Sequence, residues 1–366
     1  MNTTQKLYMM NQFPNNPDQQ VTLANWRTSP YNKWAFQHVR ELVPSANIQN
    51  NPSKAQNLPQ EKYDFSAVKV ELDNQSQLTY EEFLKITDTD ALIILKDGII
   101  IEERYFHEMA RSTPHILMSV SKSILGLLIG ILIDQKIFKA ADKVCAILPE
   151  LNSTAYKEAT IRDLLDMRTG VTFVEDYLAT SGLMIDYRKA TNWNPLENNE
   201  APSDLRSFYR LLDKKSHPDG KQFNYVSPNS DLLGWIIERS TGERFSDLLS
   251  DLFWKPLGAT MPSYITVDRL GAPRVAGGLC TTAVDLALVG QLFLDYGFTN
   301  GQQILPKNWL QDIQENGSRD AWLEGNFAEY FPNRDMHYRS KWYVDHGAND
   351  SKAELVFGLG VHGQNL

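Results

Sequence analysis

The stretch "HILMSVSKSILGLLIGILIDQK", residues 115–136, places three serines and a lysine at the head of an apolar run. Ser119 and Lys122 are three apart, so on a helix they share one face. Two readings compete. A serine at a helix N-terminus is ordinarily a cap. In the other reading Ser119 attacks a carbonyl and Lys122 takes its proton. A free lysine, with a pKa of about 10.4, is protonated at neutral pH. It serves as a base only where burial or a nearby cation lowers that value. The run Ile124 to Ile133 offers burial, and a helix N-terminus offers N–H groups to an oxyanion. An S-x-x-K match arises by chance about once in a chain this long, so the pair alone is weak.

Two further stretches bear on chemistry. In "FNYVSPNSDLLGWIIERSTG", Tyr225 precedes a strong helical pattern and Ser227 follows two residues on. Tyr225 is either a buried aromatic with a satisfied hydroxyl or, facing a lysine, a proton relay. The segment "GLGVHG", Gly358 to Gly363, fits the dinucleotide pattern by letter. That motif needs a following helix and an acidic residue about 20 positions on. Only Gln364, Asn365 and Leu366 follow, so the cofactor reading fails and no cofactor is expected. A glycine-rich strand does suit close approach of a ligand. The chain has no GxSxG elbow and no HExxH or close His/Cys pair, so no metal site is expected either.

The elements that must position these residues follow from pattern. Up to about Tyr63 the chain is rich in Asn, Gln and Pro and reads as an irregular surface arm, with "NKWAFQHVRELVPSA" as a short amphipathic piece that packs. In "ALIILKDGIIIEERYF", two β-rich runs flank Lys96-Asp97-Gly98 and predict a hairpin. A helix from about Ser119 follows. "ATIRDLLDMRTG" predicts a helix closing on Gly170. Residues 174–202 read as a long polar loop, and such loops are commonly functional. Helical patterns return at "SDLRSFYRLL", across 230–258 and after "AGGLC", and "KAELVFGLGVHGQNL" predicts a strand.

The 366 residues are long for one core and suggest two lobes or an insertion. A net charge of -9 argues against nucleic acid and anionic membranes as partners. The N-terminus is polar and reads as no secretory signal, and the longest apolar run is too short for a membrane helix. Cys145 and Cys280 are expected as free thiols. On these features a cytoplasmic location is expected.

In combination, "LMSVSKS", "DLLDMRTG", "EDYLAT", "YVSPNSDLLGWIIERSTG", "AGGLCTTAVDLALVG" and "GVHGQNL" resemble the serine β-lactamase-like hydrolases of the class C type. Within these the sequence is most similar to the 6-aminohexanoate-dimer hydrolases and related carboxylesterases. The resemblance implies an acylated Ser119, Lys122 as its base and Tyr225 as proton relay and general acid. It implies an oxyanion hole from the Ser119 and Val361 amides. Ser227 stands where the β-lactamases carry a polar partner for the tyrosine. Gly360 stands on the strand lining the site, and Tyr343 falls among the substrate contacts. Tyr177 matches an aromatic that closes over substrate, and Asp186 an acidic residue that recognises a substrate amine.

Three departures qualify the resemblance. The strand carries Gly358-Leu359-Gly360 where the β-lactamases carry Lys-Thr-Gly, which argues against β-lactamase activity. Ala276 replaces a substrate-contacting Asn, which argues against efficient nylon-dimer cleavage. The family continues past "HGQNL" with further strand and a closing helix, so the expectation is either a truncated sequence or a sheet with an uncovered face and edge. The implied fold is α/β plus all-α, β-lactamase/transpeptidase-like: an antiparallel sheet flanked by helices, from residues 1–140 and 285–366, with a mostly helical lobe inserted at 141–284. The implied substrate is a small amide or ester, and the resemblance allows a homodimer. A cell-wall peptidase or β-lactamase, or a non-catalytic binding protein keeping the fold, remain as alternatives.

Overall fold

A helix apolar on every face has to be covered on every face. The helix Val120–Asp134 meets that condition, with every side chain from Val120 through Leu132 buried. Its glycines admit the neighbours. A Cβ on Gly126 would lie 2.1 Å from the Ser340 carbonyl oxygen, and one on Gly130 would lie 2.4 Å from the Trp309 ring. Trp309 Nε1 closes that contact by donating to the Gly126 carbonyl at 3.0 Å. The computed structural model describes residues 8–72, 76–347 and 354–366.

A four-stranded antiparallel sheet leads the chain into this helix. Its order is Ser45–Ile48, Ser263–Thr266, Leu279–Thr281 and His115–Ile116. The last strand runs directly into Leu117, whose amide donates to the Leu279 carbonyl at 2.8 Å. Ser121 Oγ accepts from the Leu279 amide at 3.2 Å. The sheet edge thus fixes the backbone on both sides of Ser119. Two of its strands, at 263–266 and 279–281, lie within the stretch expected to be mostly helical.

The hairpin forms as its turn residues require. Ala91–Lys96 pairs with Ile99–Tyr105, and Asp97 and Gly98 take φ of 52° and 77°. Among the described residues the hairpin forms its own ladder rather than joining the C-terminal strands. Those form a separate sheet, Met336–Arg339, Trp342–Asp345 and Leu355–Phe357. Leu359–Gly360 and Gln364–Asn365 pair across a turn at Val361 to Gly363.

Three expectations need correction. The helix at Ile161–Leu165 ends five residues before Gly170. Gly170 serves close approach instead, since a Cβ there would lie 1.7 Å from the His217 carbonyl oxygen. The N-terminal arm is no surface strap. Trp26 is fully buried, edge-on against Trp193 at 5.2 Å, and its Nε1 donates to the Trp193 carbonyl at 3.1 Å. The long loop contains a helix, Leu183–Ala190.

Candidate active site

Ser119 opens the central helix at φ -69° and ψ -10° but makes no side-chain capping bond. Its hydroxyl is engaged otherwise. Lys122 Nζ lies 2.6 Å from Ser119 Oγ and donates to the Ala276 carbonyl at 2.7 Å. Met118, just before, holds φ at 45°, a conformation that costs energy in a residue with a side chain and collects at functional sites. Ser121 and Ser123 serve the scaffold, Ser121 toward Leu279 and Ser123 toward the Lys341 carbonyl. Of the three serines, Ser119 is the one that faces both the lysine and a cavity.

Lys122 is only 1% exposed. Burial, with a smaller push from Arg274, lowers its pKa from the lysine range to about 8, against the opposing pull of Glu175 and Asp231. A backbone relay holds the amine in place. Asp231 Oδ1 accepts from the Ala276 amide at 2.8 Å, and the Ala276 carbonyl receives Lys122. Asp231 Oδ2 accepts from Arg274 and from the Tyr187 hydroxyl, which satisfies a carboxylate that is 1% exposed.

Tyr225 presents its ring face to Lys122 Nζ at 5.0 Å and stacks on Phe327 at 4.7 Å. Its hydroxyl is within hydrogen-bonding reach of Ser119 and Tyr343, and burial, then Glu175, pushes its pKa up. It is therefore a neutral phenol, able to give a proton but not to take one. Ser227 does not partner the tyrosine. Its amide donates to Glu175 Oε2 at 2.6 Å and its hydroxyl to Glu175 Oε1. Tyr177 donates to the same Oε1 at 2.9 Å. Glu175 thus ties the loop to the tyrosine segment, a role no sequence pattern announced.

A cavity of about 600 Å³ opens on this corner. Ser119, Tyr177, Ser227, Ala276 and Val361 line it. Among the described residues, neither the Ser119 nor the Val361 amide has a hydrogen-bond acceptor. Tyr343 sits behind the wall, fully buried on its strand. Gly360 is not on the lining; a Cβ there would lie 2.8 Å from the Leu117 carbonyl oxygen, so its smallness seats the hairpin beside Ser119. Asp186 also stays off the wall. Helix Leu183–Ala190 turns Met184, Ile185, Arg188 and Lys189 toward the cavity, and helical periodicity carries Asp186 off that face. Sequence reasoning missed Arg27, Glu175, Arg188 and Arg274 on the lining and Asp231 behind it.

Comparison with known proteins follows the same lines. The Beta-lactamase family model matches residues 83–356. A 6-aminohexanoate-dimer hydrolase from Paenarthrobacter ureafaciens is 32% identical over 345 residues, covering 94% of this chain and 84% of that protein. A Bacillus anthracis structure, provisionally assigned as a 6-aminohexanoate-dimer hydrolase, superposes with a TM-score of 0.83 at 27% identity, covering 94% of this chain and 87% of that one. An octameric penicillin-binding protein homologue from Pyrococcus abyssi shares the fold, with a TM-score of 0.58 at 15% identity over 78% of this chain and 67% of that one.

Proposed function

The chain belongs to the β-lactamase family and is a serine hydrolase, and from that premise we propose that it cleaves amide or short-acyl ester bonds through an acyl-Ser119 intermediate. The contact that carries this reading is Lys122 Nζ at 2.6 Å from Ser119 Oγ. With its pKa drawn down to about 8 by burial, a useful fraction of Lys122 is neutral near pH 7 and can accept the serine proton.

The steps follow from the groups present. Ser119 Oγ attacks the substrate carbonyl carbon as its proton passes to Lys122. The carbonyl oxygen takes the negative charge beside the free amides of Ser119 and Val361. Collapse breaks the bond to the leaving group, which takes a proton from the Tyr225 hydroxyl. The Lys122 ammonium returns a proton to the Tyr225 phenolate, which leaves the amine neutral and able to take a proton from the incoming water and pass it to Ser119 Oγ as the ester bond breaks. A water then repeats the addition, and the acid product leaves with Ser119 restored. Tyr177, tied to Glu175 at the rim, shields the acyl group.

The test is turnover of 4-nitrophenyl acetate by wild type and Ser119→Ala, both shown folded by circular dichroism, with intact-mass detection of an acetyl adduct. Wild type should turn over and carry the adduct. The variant should lose both, a drop of about 10³ or more. Wild-type turnover in the variant would sink the assignment.

A further inference from the structure

The cavity beside Ser119 is walled by guanidinium groups from three distant segments: Arg27 from the N-terminal arm, Arg188 from helix Leu183–Ala190 and Arg274 before the glycine turn. Arg274 is answered by Asp231. The other two are not. Among the described residues neither Arg27 nor Arg188 has an ion-pair partner within 4.0 Å. Arg27 donates to the Asn194 side-chain oxygen, and Arg188 donates to the Tyr177 and Ala179 carbonyls at 2.8 and 3.4 Å. Arg188 is 6% exposed, and its Nε, like those of Arg27 and Arg274, is buried without a partner.

The other charges on the lining are engaged or exposed. Lys189 pairs with Glu200 at 2.6 Å. Glu175 is held by Ser227 and Tyr177, and Glu197 is exposed. His362, also on the lining, is held below the usual histidine range by burial and by Arg27 and Arg188, and so stays neutral at pH 7. Burial and mutual repulsion weaken the hold of Arg27 on its proton, to a pKa of about 9. Leaving buried donors and repelling cations unanswered is costly, and a carboxylate matches the planar guanidinium fork.

We propose that Arg27 and Arg188 form a carboxylate-binding subsite, so that the enzyme prefers esters and amides carrying a carboxylate on the arm that enters this cavity. The proposal rests on the hydrolase reading above and adds the substrate class. Trp26 and Trp193, packed edge-on, fix the arm that brings Arg27 to the wall.

The experiment uses two matched pairs: 4-nitrophenyl acetate against mono-4-nitrophenyl glutarate, and phenyl acetate against 4-carboxyphenyl acetate. The first pair places the carboxylate on the acyl side, the second on the leaving group. Wild type should favour the charged member of one pair by about tenfold or more in kcat/KM, and Arg27→Gln and Arg188→Gln should each bring that ratio toward one. Parity in both pairs for an active wild type, or a preference that survives both substitutions, overturns the subsite and leaves the hydrolase reading intact. If wild type cleaves none of the four, the ester part of the reading above fails. Calorimetric titration of wild type with glutarate then decides the subsite: saturable binding lost in both variants supports it, and no binding overturns it.

Discussion

Two lysines in this protein are each 1% exposed, Lys122 and Lys341. Burial pulls both below the ordinary lysine range, Lys122 to about 8 and Lys341 well down. Both donate to a backbone carbonyl, Ala276 for one and Leu164 for the other, at 2.7 Å each. Their second contacts differ. Lys122 reaches a serine hydroxyl that opens on a cavity. Lys341 reaches the Met167 sulfur at 3.4 Å, inside the protein. A depressed pKa therefore marks neither as a base. What separates them is a proton to take and a substrate able to come near.

The largest expected effect follows from that difference. Lys122→Met keeps length and apolar packing but removes the proton acceptor. The kcat for 4-nitrophenyl acetate should fall by about 10³, within the range for general base loss, while circular dichroism stays native. A fall of less than about tenfold would put the proton elsewhere and return Lys122 to the scaffold.

Next in size is the pH response. The working form of Lys122 is neutral, and its pKa stands at about 8. Activity should therefore be half-maximal at about pH 8, near full about a unit above it, and fall about tenfold per pH unit well below it. Tyr225, pushed up by burial, stays protonated across this range and adds no second limb. A profile flat from pH 5 to 9 would argue against a lysine base.

How much of this site could be read from sequence depends on how local the signal is. Ser119 and Lys122 share one helical turn, so their spacing carried the information, and Tyr225 stood beside a helix strong enough to place it. Arg27 gave no such sign. It reaches the cavity because Trp26 packs on Trp193, 167 positions along the chain. Asp231 lies within a well-recognised helix, Pro228–Thr241, but its role depends on Ala276, 45 positions away. Gly170 looked like a helix stop because glycine often ends helices. The structure uses its missing side chain against the His217 carbonyl instead. Asp186 was aligned by resemblance, and one step of helical phase carries it off the cavity. The hairpin, by contrast, was written in its turn residues.

The smallest expected effect sharpens the comparison most. Lys341 meets the Leu164 carbonyl, one of the last in the helix Ile161–Leu165, and its own amide donates to the Leu165 carbonyl at 3.1 Å. It supplies donors at a helix end, where carbonyls run short of intrahelical partners. Lys341→Met would fill the same space, take one of two donors from the Leu164 carbonyl, which keeps the Met167 amide at 3.4 Å, at a cost of about 1 kcal/mol, and remove an amine buried with little compensation. These oppose each other, so stability by denaturant titration should move by less than about 2 kcal/mol, and kcat by less than about threefold. The pH profile gives the finer reading. Burial, and the repulsion of Lys122, hold Lys341 well below its usual range, while the groups that move Lys122 are Glu175, Arg274 and Asp231. Removing it should leave the midpoint of the rate profile where it is. An upward shift of that midpoint in Lys341→Met would mean that Lys341 is charged in the folded protein and helps hold Lys122 neutral, and the two lysines would then act as one electrostatic unit rather than as a base and a helix cap.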